Sequence, residues 1–285
     1  MPAAKNAPRL AAVIGWPVAH SLSPLIHRTW AEREGAPAFY IPVAVEPGYD
    51  AFAEAAEALA GLGFKGANIT LPHKENALRF AAEASDEASS AGAANMLTFR
   101  EEGAYADNSD ISGFAASVNE VLKKKDKRGR AIVLGAGGAA RGVILALKRL
   151  GYSKIVIVNR TRARAEALAK EFGGEAAPWE EREDTLAGAD LLVNTTSLGM
   201  KGEPALQLKL DALPDAAIVS DIVYAPLITP LLAAARNRGL RTADGLSMLM
   251  HQAVPGYMAW LGRKAAVDAD LRARLEAAVE ARGPR

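Results

Sequence analysis

The chain has 285 residues, of which 50% are hydrophobic and 24% charged, and its formal net charge is +1. Since domains commonly run to roughly 100–200 residues, this composition predicts a globular protein of about two domains, and the near-zero net charge argues against a nucleic-acid-binding protein. The chain contains no cysteine, which excludes disulfides, thiolate metal sites and cysteine nucleophiles and is typical of a cytoplasmic protein.

Apolar, strand-like runs alternate with helical patterns along the first third of the chain. In order, the pattern predicts a strand at 10–14, a helix from Pro24, a strand at 38–45, a helix at 49–63, a strand at 63–70, a helix at 72–85 and a hairpin of 94–99 with 103–107. No uncharged apolar stretch reaches the roughly 18 residues of a membrane span. This part of the chain predicts a first α/β domain that ends near Asp107.

A helix at 110–125 and a basic linker lead into a second alternating region. It predicts, in order, a strand at 130–134, a turn and helix at 135–151, a strand at 154–158, a helix at 161–173, strands at 189–195 and 216–224, and a helix at 229–239. Near-continuous apolar strands of this kind are typical of a parallel sheet. The two last helices, at 247–260 and 263–281, are followed by no strand, so we expect them to pack back on the first domain.

The predicted organisation is therefore a two-domain α/β protein, with 1–107 and 247–285 in one domain and 108–246 in the other. The second domain opens on a dinucleotide-binding signature, in which Gly135 and Gly137 lie between a strand and a helix and Ala140 takes the third small position. The glycines permit a tight turn and a close approach of the backbone to a pyrophosphate, which meets the free N–H groups of the helix. The pattern predicts a Rossmann-type domain.

The second strand of that domain ends in a basic residue rather than an acidic one. An NAD site would place Asp or Glu there to hold the ribose 2′-hydroxyl. This chain has Asn159 and Arg160, followed by Thr161 as the predicted N-cap of the next helix. A guanidinium can hold a 2′-phosphate, and no carboxylate is present to repel it, so the pattern favours NADP over NAD.

Five further clusters are more polar than core packing explains, and they lie at 20–24, 68–74, 93–95, 107–110 and 244–252. Asn68, Thr70 and Lys74 span a strand end and a helix start, where side chains point into a crevice. No acidic or histidine cluster has metal-ligand spacing, so we expect no metal and take a lysine beside a carboxylate as the candidate proton carrier. The cluster at 20–24, "HSLSP", leaves two interpretations open: a helix N-cap at Ser23 or a loop that binds an anion.

Nine segments resemble, in order and spacing, those of the shikimate dehydrogenase family. They are "GWPVAHSLSPLIH", "NITLPHK", "GAAN", "DNSD", "GAGGAAR", "NRT", "NTTSLGM", "DIVYAPLITPLL" and "DGLSMLMHQA". The resemblance implies the reversible, NADP-dependent reduction of 3-dehydroshikimate to shikimate, a step of the shikimate pathway toward chorismate and the aromatic amino acids. It also implies a cytoplasmic oxidoreductase that binds NADPH and a small-molecule substrate, without nucleic-acid or membrane partners, as a monomer or homodimer.

The resemblance also assigns roles to individual residues. Lys74 falls on the family's catalytic lysine and Asp110 on its paired aspartate, and the Lys74 ammonium would protonate the alkoxide that forms at the reduced carbonyl. The residues implied to hold the substrate are Ser21, Ser23 and Tyr224 near its carboxylate and Asn68, Thr70, Asn95, Asp110 and Gln252 at its hydroxyls. The residues implied to contact the cofactor are Gly135, Ala136, Gly137, Gly138, Ala139, Asn159, Arg160, Thr161, Thr195, Ser197, Met200 and Gly245.

Three positions depart from the family pattern. Arg28 and Met96 stand where the family commonly has Asn and Thr, and Ser109 replaces a Thr but keeps the hydroxyl. Two alternatives stay open: a quinate/shikimate dehydrogenase with relaxed cofactor or substrate use, and a catalytically silent NADP-binding regulator. The presence of both Lys74 and Asp110 counts against the regulator.

Overall fold

The computed structural model describes residues 7–262 and 265–281. Within these ranges the chain forms two compact units, of which the first contains the residues up to Ser109 and those between Gln252 and Leu275, and the second contains Asp110–His251 and the residues from Glu276 to Ala281. Both units are α/β, as predicted. None of the helices in the described ranges combines the length and the hydrophobicity of a membrane span.

The first unit is built on a mixed sheet of six strands. Its elements are, in chain order, β1 (Arg9–Gly15), α1 (Ser23–Glu34), β2 (Ala38–Ala44), α2 (Tyr49–Gly61), β3 (Gly66–Ile69), α3 (Lys74–Phe80), β4 (Glu83–Ala84), α4 (Asp86–Ala91), β5 (Met96–Arg100) and β6 (Gly103–Asp107). The strands lie in the order β2-β1-β3-β5-β6-β4. β1 is parallel to β2 and β3, whereas β5 is antiparallel to β3 and β6, so the predicted hairpin is confirmed.

The second unit is built on an entirely parallel sheet of six strands. The remaining elements are α5 (Ser109–Asn119), β7 (Arg130–Leu134), α6 (Gly138–Arg149), β8 (Lys154–Asn159), α7 (Arg162–Phe172), β9 (Glu175–Pro178), β10 (Leu191–Asn194), β11 (Ile218–Asp221), α8 (Pro230–Asn237), β12 (Arg241–Ala243), α9 (Gly245–Trp260) and α10 (Ala269–Ala281). The strand order is β12-β11-β10-β7-β8-β9. This is a doubly wound Rossmann sheet, in which the order reverses between β7 and β10.

Burial explains why the second sheet forms as predicted. All four residues of β10 and the last four of β7 are buried, as expected for parallel strands covered by helices on both faces. Ile132, Leu192 and Val219, from three neighbouring strands, belong to one apolar cluster. The sequence pattern does not predict the edge strands β9 and β12, which are short and only partly buried.

The predicted helix at 72–85 is wrong in its extent, because the structure divides that segment. The first part, α3, ends at Phe80, since Ala81 adopts an extended backbone and the chain then pairs β4 with β6. A new helix begins after Ser85, whose hydroxyl oxygen accepts from the Ala88 N–H at 3.0 Å. The alanine-rich sequence conceals this break, because alanine favours a helix throughout.

The segment Gln252–Leu275, which follows most of the second unit in sequence, belongs to the first unit. The indole N–H of Trp260, in α9, donates to the Thr98 hydroxyl at 2.9 Å. The indole N–H of Trp30, in α1, donates to the Ala266 carbonyl oxygen at 2.8 Å. These bonds join β5 and α1 to chain segments that follow the second unit in sequence.

The last helix is shorter than predicted. It begins at Ala269 rather than at Arg263, and Arg263 itself lies outside the described residues. Within this helix, Leu271 and Leu275 are fully buried. Val267 precedes the helix and is only partly buried.

An aromatic cluster unites α1, β2 and α9 in the first unit. The His27 ring stacks on the Tyr40 ring with a centroid distance of 3.9 Å and an interplanar angle of 8°. The ring centroids of Trp30 and Tyr257 lie 5.1 Å apart. His27 is fully buried, and neither ring nitrogen has a hydrogen-bond partner among the described residues. Burial lowers the pKa of His27 to about 3, so the imidazole is neutral at physiological pH.

We predict that His27 makes the fold sensitive to acid. In the unfolded chain a histidine has a pKa of about 6.5, so between pH 6.5 and 3 the unfolded state binds more protons and the free energy of unfolding falls as the pH falls. The unfolded His27→Leu variant cannot take up this proton. Between pH 6.5 and 4.5 its free energy of unfolding should therefore fall by roughly 2–3 kcal/mol less than that of the wild-type protein. Urea denaturation at several pH values measures this difference. Parallel curves for the two proteins would contradict the assignment.

Candidate active site

The polar residues expected to hold a substrate in the first unit gather at one edge of its sheet. Ser21 follows β1, Thr70 follows β3, and Asn95 immediately precedes β5. Because β5 is antiparallel to β3, with Asn68 opposite Met96, its start lies beside the end of β3. The carboxyl ends of parallel strands are the usual position of ligand sites in α/β folds.

Ser21 and Ser23 stand at the N-terminus of α1. The helix begins at Ser23. The residue at the N-cap position is Leu22, whose side chain makes no capping hydrogen bond. Instead, the Ser23 backbone N–H donates to the Ser21 hydroxyl oxygen at 3.2 Å, and Ser23 itself is buried. The interpretation of Ser23 as the helix cap is therefore wrong. In the first turn the Ser23 N–H is paired with Ser21, Pro24 has no N–H, and the Leu25 and Ile26 N–H groups donate to the Leu22 carbonyl oxygen. An anion at this position would therefore depend on hydroxyl donors and on the positive end of the helix dipole rather than on free N–H groups.

Three buried side-chain amides form the centre of this edge. Asn68 Oδ1 accepts from the Tyr40 hydroxyl at 2.8 Å, and Asn68 Nδ2 donates to the Asn95 carbonyl oxygen at 3.3 Å. Asn95 Nδ2 donates to Gln252 Oε1 at 3.3 Å and to Ser109 Oγ at 3.0 Å, and the Ser109 N–H donates to Asn95 Oδ1 at 2.7 Å. The structure thus brings Asn68, Asn95 and Gln252 together from three distant segments.

Lys74 and Asp110 lie in the first turns of two helices, α3 and α5, that start close to these residues in the chain. Lys74 is the first residue of α3, it is partly buried, and its carbonyl oxygen accepts from the Ala94 N–H at 2.9 Å. Asp110 is partly buried and follows Ser109 directly; Ser109 closes the first unit and Asp110 opens the second. Within the described ranges, no three histidine, aspartate or glutamate side chains group as a metal site.

The departures from the family pattern have different surroundings. Arg28 is exposed on α1 and pairs with Glu32 one turn later at 3.7 Å, which makes it a solvent-facing residue of little energetic weight. Met96 is buried in β5 and belongs to the core of the sheet. Only Ser109 takes part in the amide cluster, and there it uses the hydroxyl that the substitution retains.

The nucleotide signature lies at the switch point of the second sheet, after β7. Gly135 has a φ of +107°, and a Cβ there would lie 2.7 Å from Thr195 Oγ1, so both its backbone and its packing require glycine. Gly137 and Gly138 are exposed, and a Cβ at either position would meet nothing within 4 Å. Packing therefore does not explain these two glycines. A pyrophosphate at the N-terminus of α6 would fill this space, so the residues fit the expected cofactor.

The flanking residues of the signature complete the turn. Ala136 and Ala139 are partly buried, whereas Ala140 is fully buried. A small residue at the Ala140 position allows close packing of helix on strand, as the signature predicts.

The end of β8 presents an amide and a cation. Asn159 Nδ2 donates to the Thr161 carbonyl oxygen at 2.9 Å, and Thr161 takes the predicted N-cap position of α7 without a capping bond from its hydroxyl. Arg160 is exposed and has no hydrogen bond or salt bridge to another described residue. Arg162, in contrast, pairs with Glu166 at 2.7 Å. Arg160 is thus a guanidinium available to a 2′-phosphate.

A buried carboxylate ties together the loops after β10 and β11. Asp221 accepts from Asn194 Nδ2 at 3.0 Å and from the Thr229 hydroxyl at 2.7 Å. Burial raises the pKa of Asp221 to about 6, although these hydrogen bonds oppose the rise. The loops that this network holds contain the predicted site residues Thr195, Ser197, Met200 and Tyr224.

Gly245 begins α9 and lies directly against the chain that follows β11. A Cβ on Gly245 would lie 2.4 Å from the Ile222 carbonyl oxygen. Close backbone packing alone therefore requires glycine here, whatever its part in cofactor binding.

Tyr40 was not predicted to be a site residue, but its hydroxyl donates to Asn68, which was. Tyr40 is buried in β2 between Phe39 and Ile41, which are 59% and 43% exposed. A buried tyrosine in an otherwise exposed edge strand is a pattern that points to a hydrogen bond inside the domain. This pattern can be recognised only when the two faces of the strand are known.

Two family models match this chain. The model described as "Shikimate dehydrogenase substrate binding domain" matches residues 13–97, and the model described as "Shikimate / quinate 5-dehydrogenase" matches residues 117–203. The first match covers Ser21, Lys74 and Asn95, and the second covers the glycine turn and Arg160.

Relatives and solved structures agree with these models. The shikimate dehydrogenase (NADP(+)) of Nitrobacter hamburgensis is 48% identical over 279 residues, which are 97% of each chain. The shikimate 5-dehydrogenase of Thermus thermophilus, solved with NADP(H) and shikimate, is 34% identical with a TM-score of 0.82 over 95% of this chain and 99% of its own. The quinate dehydrogenase of Corynebacterium glutamicum, solved with NAD, is 29% identical with a TM-score of 0.87 over 95% and 100%.

We predict that two glycines of the signature respond differently to the same substitution. Gly137→Ala should keep the melting temperature within about 2 °C, because its Cβ enters open space at an ordinary φ of −94°. It should nevertheless weaken NADP binding by about tenfold or more, since the methyl group occupies the phosphate position. Thermal unfolding and calorimetric titration with NADP measure the two effects.

Gly135→Ala is the matched variant, and it should lower the free energy of unfolding by roughly 1–3 kcal/mol because of backbone strain and the clash with Thr195. Normal NADP affinity in a well-folded Gly137→Ala variant would count against a phosphate site at α6.

Proposed function

The chain belongs to the shikimate dehydrogenase family, and from this premise we propose how its residues carry out the family's reaction. The protein is an NADP-dependent oxidoreductase that reversibly reduces 3-dehydroshikimate to shikimate. The observation that carries the proposal is the open helix N-terminus at Gly137 in a Rossmann unit whose second strand ends in Asn159 and Arg160.

We assign the cofactor to this turn and to the loops beside it. The N–H groups at the start of α6 bind the pyrophosphate, and Arg160 binds the 2′-phosphate that distinguishes NADP from NAD. Asn159 and Thr161 adjoin the same phosphate. The remaining contacts that we assign are Ala136, Gly138, Ala139, Thr195, Ser197, Met200 and Gly245.

We assign the substrate carboxylate to the N-terminus of α1, together with Tyr224. The Ser21 hydroxyl oxygen accepts from the Ser23 N–H, which leaves its own proton to donate to a carboxylate. Ser23 stands beside it, and a helix N-terminus favours negative charge.

We assign the ring hydroxyls of the substrate to Thr70 and to the cluster of three buried amides. Asn68, Asn95 and Gln252 offer both donors and acceptors in a buried setting, where an unmatched hydroxyl would leave a polar group unpaired at a cost. Such a site distinguishes its substrate by hydrogen bonding rather than by size.

Proton transfer belongs to Lys74 and Asp110 in this proposal. NADPH, when bound, supplies the hydride. The Lys74 ammonium stabilises negative charge at the carbonyl oxygen and donates the proton that completes the alcohol, and in the reverse direction it accepts that proton. Asp110 provides the carboxylate that orients Lys74 and that accepts a hydrogen bond from a neighbouring hydroxyl of the substrate.

The alternatives are less well supported. The curated relatives share the name shikimate dehydrogenase (NADP(+)) at 46–50% identity, whereas the quinate dehydrogenase solved with NAD is 29% identical. The presence of Lys74 and Asp110 together argues against a silent regulator. We further propose that the enzyme works in the cytoplasm as a monomer or homodimer, in keeping with its lack of cysteine.

We predict which of four combinations of substrate and cofactor reacts fastest. The combinations are shikimate or quinate with NADP or NAD. Shikimate with NADP should give the highest kcat/KM, because the site offers Arg160 to the 2′-phosphate and no acidic residue at that strand end. Steady-state absorbance at the NADPH band measures all four. Faster turnover of quinate would support the broader dehydrogenase, and no turnover in any combination would support the regulator.

The Arg160→Ala variant is the control for the cofactor half of this prediction. It should lower kcat/KM with NADP about tenfold, for the loss of one charge-assisted contact, and should lower kcat/KM with NAD much less. Arg162→Ala, which removes a guanidinium already paired with Glu166, should change the NADP preference far less. Equal losses with both cofactors would remove Arg160 from the 2′-phosphate site.

We predict that Lys74→Ala lowers kcat by about 10²- to 10⁴-fold, the usual contribution of a general acid–base group. Shikimate binding, measured by calorimetric titration, should stay nearly intact, since the lysine acts mainly on the developing charge. The matched control is Lys65→Ala, because Lys65 is exposed and its hydrogen bonds are made by its backbone. A near-normal kcat for Lys74→Ala would exclude the lysine from the proton transfer.

A further inference from the structure

Tyr40 is hydrogen-bonded to a residue of the proposed substrate site. Its hydroxyl donates to Asn68 Oδ1 at 2.8 Å. A phenol carries one proton, so this bond uses the only proton that the hydroxyl can donate. The bond links β2 to β3.

The position of Tyr40 is fixed from several sides. The ring is buried, and it stacks on the neutral His27 ring at 3.9 Å with the planes 8° apart. Burial also raises the pKa of Tyr40 well above its usual value, so the phenol keeps its proton and remains a donor. Since β2 and β3 lie on either side of β1, the Tyr40 side chain spans one strand to reach Asn68.

The bond to Tyr40 determines which way the Asn68 amide faces. With Oδ1 accepting from the phenol and one N–H donating to the Asn95 carbonyl oxygen, the second N–H of Nδ2 is directed elsewhere and is able to donate to a ligand hydroxyl. Without the phenol, Oδ1 loses its donor, and the bond of 3.3 Å from Nδ2 to the Asn95 carbonyl oxygen is left to hold the amide.

We propose that Tyr40 is a positioning residue for the substrate, and that it acts by orienting the Asn68 amide toward a ring hydroxyl. This inference rests on the proposed function, because it takes Asn68 as a substrate contact. Tyr40 itself touches Asn68 and not the reacting atoms, so its loss should appear in substrate affinity more than in the chemical step.

The test is Tyr40→Phe, which keeps the ring and its stacking and removes only the hydroxyl. The KM for shikimate should rise about tenfold, the equivalent of one well-placed hydrogen bond, while kcat and the KM for NADP change by less than about threefold.

The matched control is Tyr152→Phe in the second unit. Tyr152 is 4% exposed, and its hydroxyl is buried without a hydrogen-bond partner in the described chain. This variant also loses a buried tyrosine hydroxyl, and it should leave the KM for shikimate unchanged. Comparing the melting temperatures of the two variants separates general effects of removing a phenol from the positioning effect.

A double-mutant cycle with Asn68→Ala tests the route of the effect. If Tyr40 acts through Asn68, adding Tyr40→Phe to Asn68→Ala should raise the KM no further, because the amide to be oriented is already absent. Additive increases would overturn the inference, as would an unchanged KM in a folded Tyr40→Phe variant. If Tyr40→Phe does not fold, Tyr40→Met, a second variant without the hydroxyl, takes its place in the same cycle.

The outcomes also distinguish this inference from the proposed function. A wild-type protein that does not turn over shikimate with NADP contradicts the proposed function. A normal KM in Asn68→Ala contradicts the role of Asn68. An impaired Asn68→Ala variant beside a normal Tyr40→Phe variant contradicts the role of Tyr40 alone.

Discussion

The buried side-chain amide of Asn95 holds the first unit together at the two points where the chain leaves it and returns. The chain leaves after Ser109 and returns at Gln252, and Asn95 hydrogen-bonds both residues. Removing the amide would leave buried donors and acceptors unpaired, at about 1–3 kcal/mol each. Asp110 follows Ser109, and the Ala94 N–H before Asn95 binds the carbonyl oxygen of Lys74. The two residues assigned to proton transfer therefore both depend on one short segment.

Glycine has two distinct physical roles in this molecule, and the structure separates them. At Gly135 and Gly245 the chain itself fills the space that a side chain would need. At Gly137 that space is open, so the fold does not require glycine there, and the reason that we propose for it is a bound pyrophosphate. A sequence motif presents both kinds of glycine alike, and only the surroundings of each Cβ position tell which substitution affects stability and which affects binding.

The sequence predicted those features that depend on contiguous residues. The second sheet followed from near-continuous apolar strands, and the nucleotide turn from a strand, glycines and helix within 130–149. Residue patterns did not predict the break near Phe80, because it depends on β4 pairing with β6. Nor did they predict the bond between Tyr40 and Asn68, since two strands had to be placed first. The amide cluster was predicted as a set of residues through family resemblance, but not as a hydrogen-bonded network.

The two proposed binding regions differ in burial, and this sets how each can discriminate. Asn68, Asn95 and Gln252 are buried and bonded to one another, so a substrate with a misplaced hydroxyl leaves a polar group unpaired away from water, where the penalty is large. Arg160 is exposed, so its attraction for a 2′-phosphate is screened by salt over about 10 Å at 0.1 M ionic strength. Substrate choice should therefore be rigid and distributed over several segments. Cofactor choice should be sensitive to salt and open to change by substitution at one strand end.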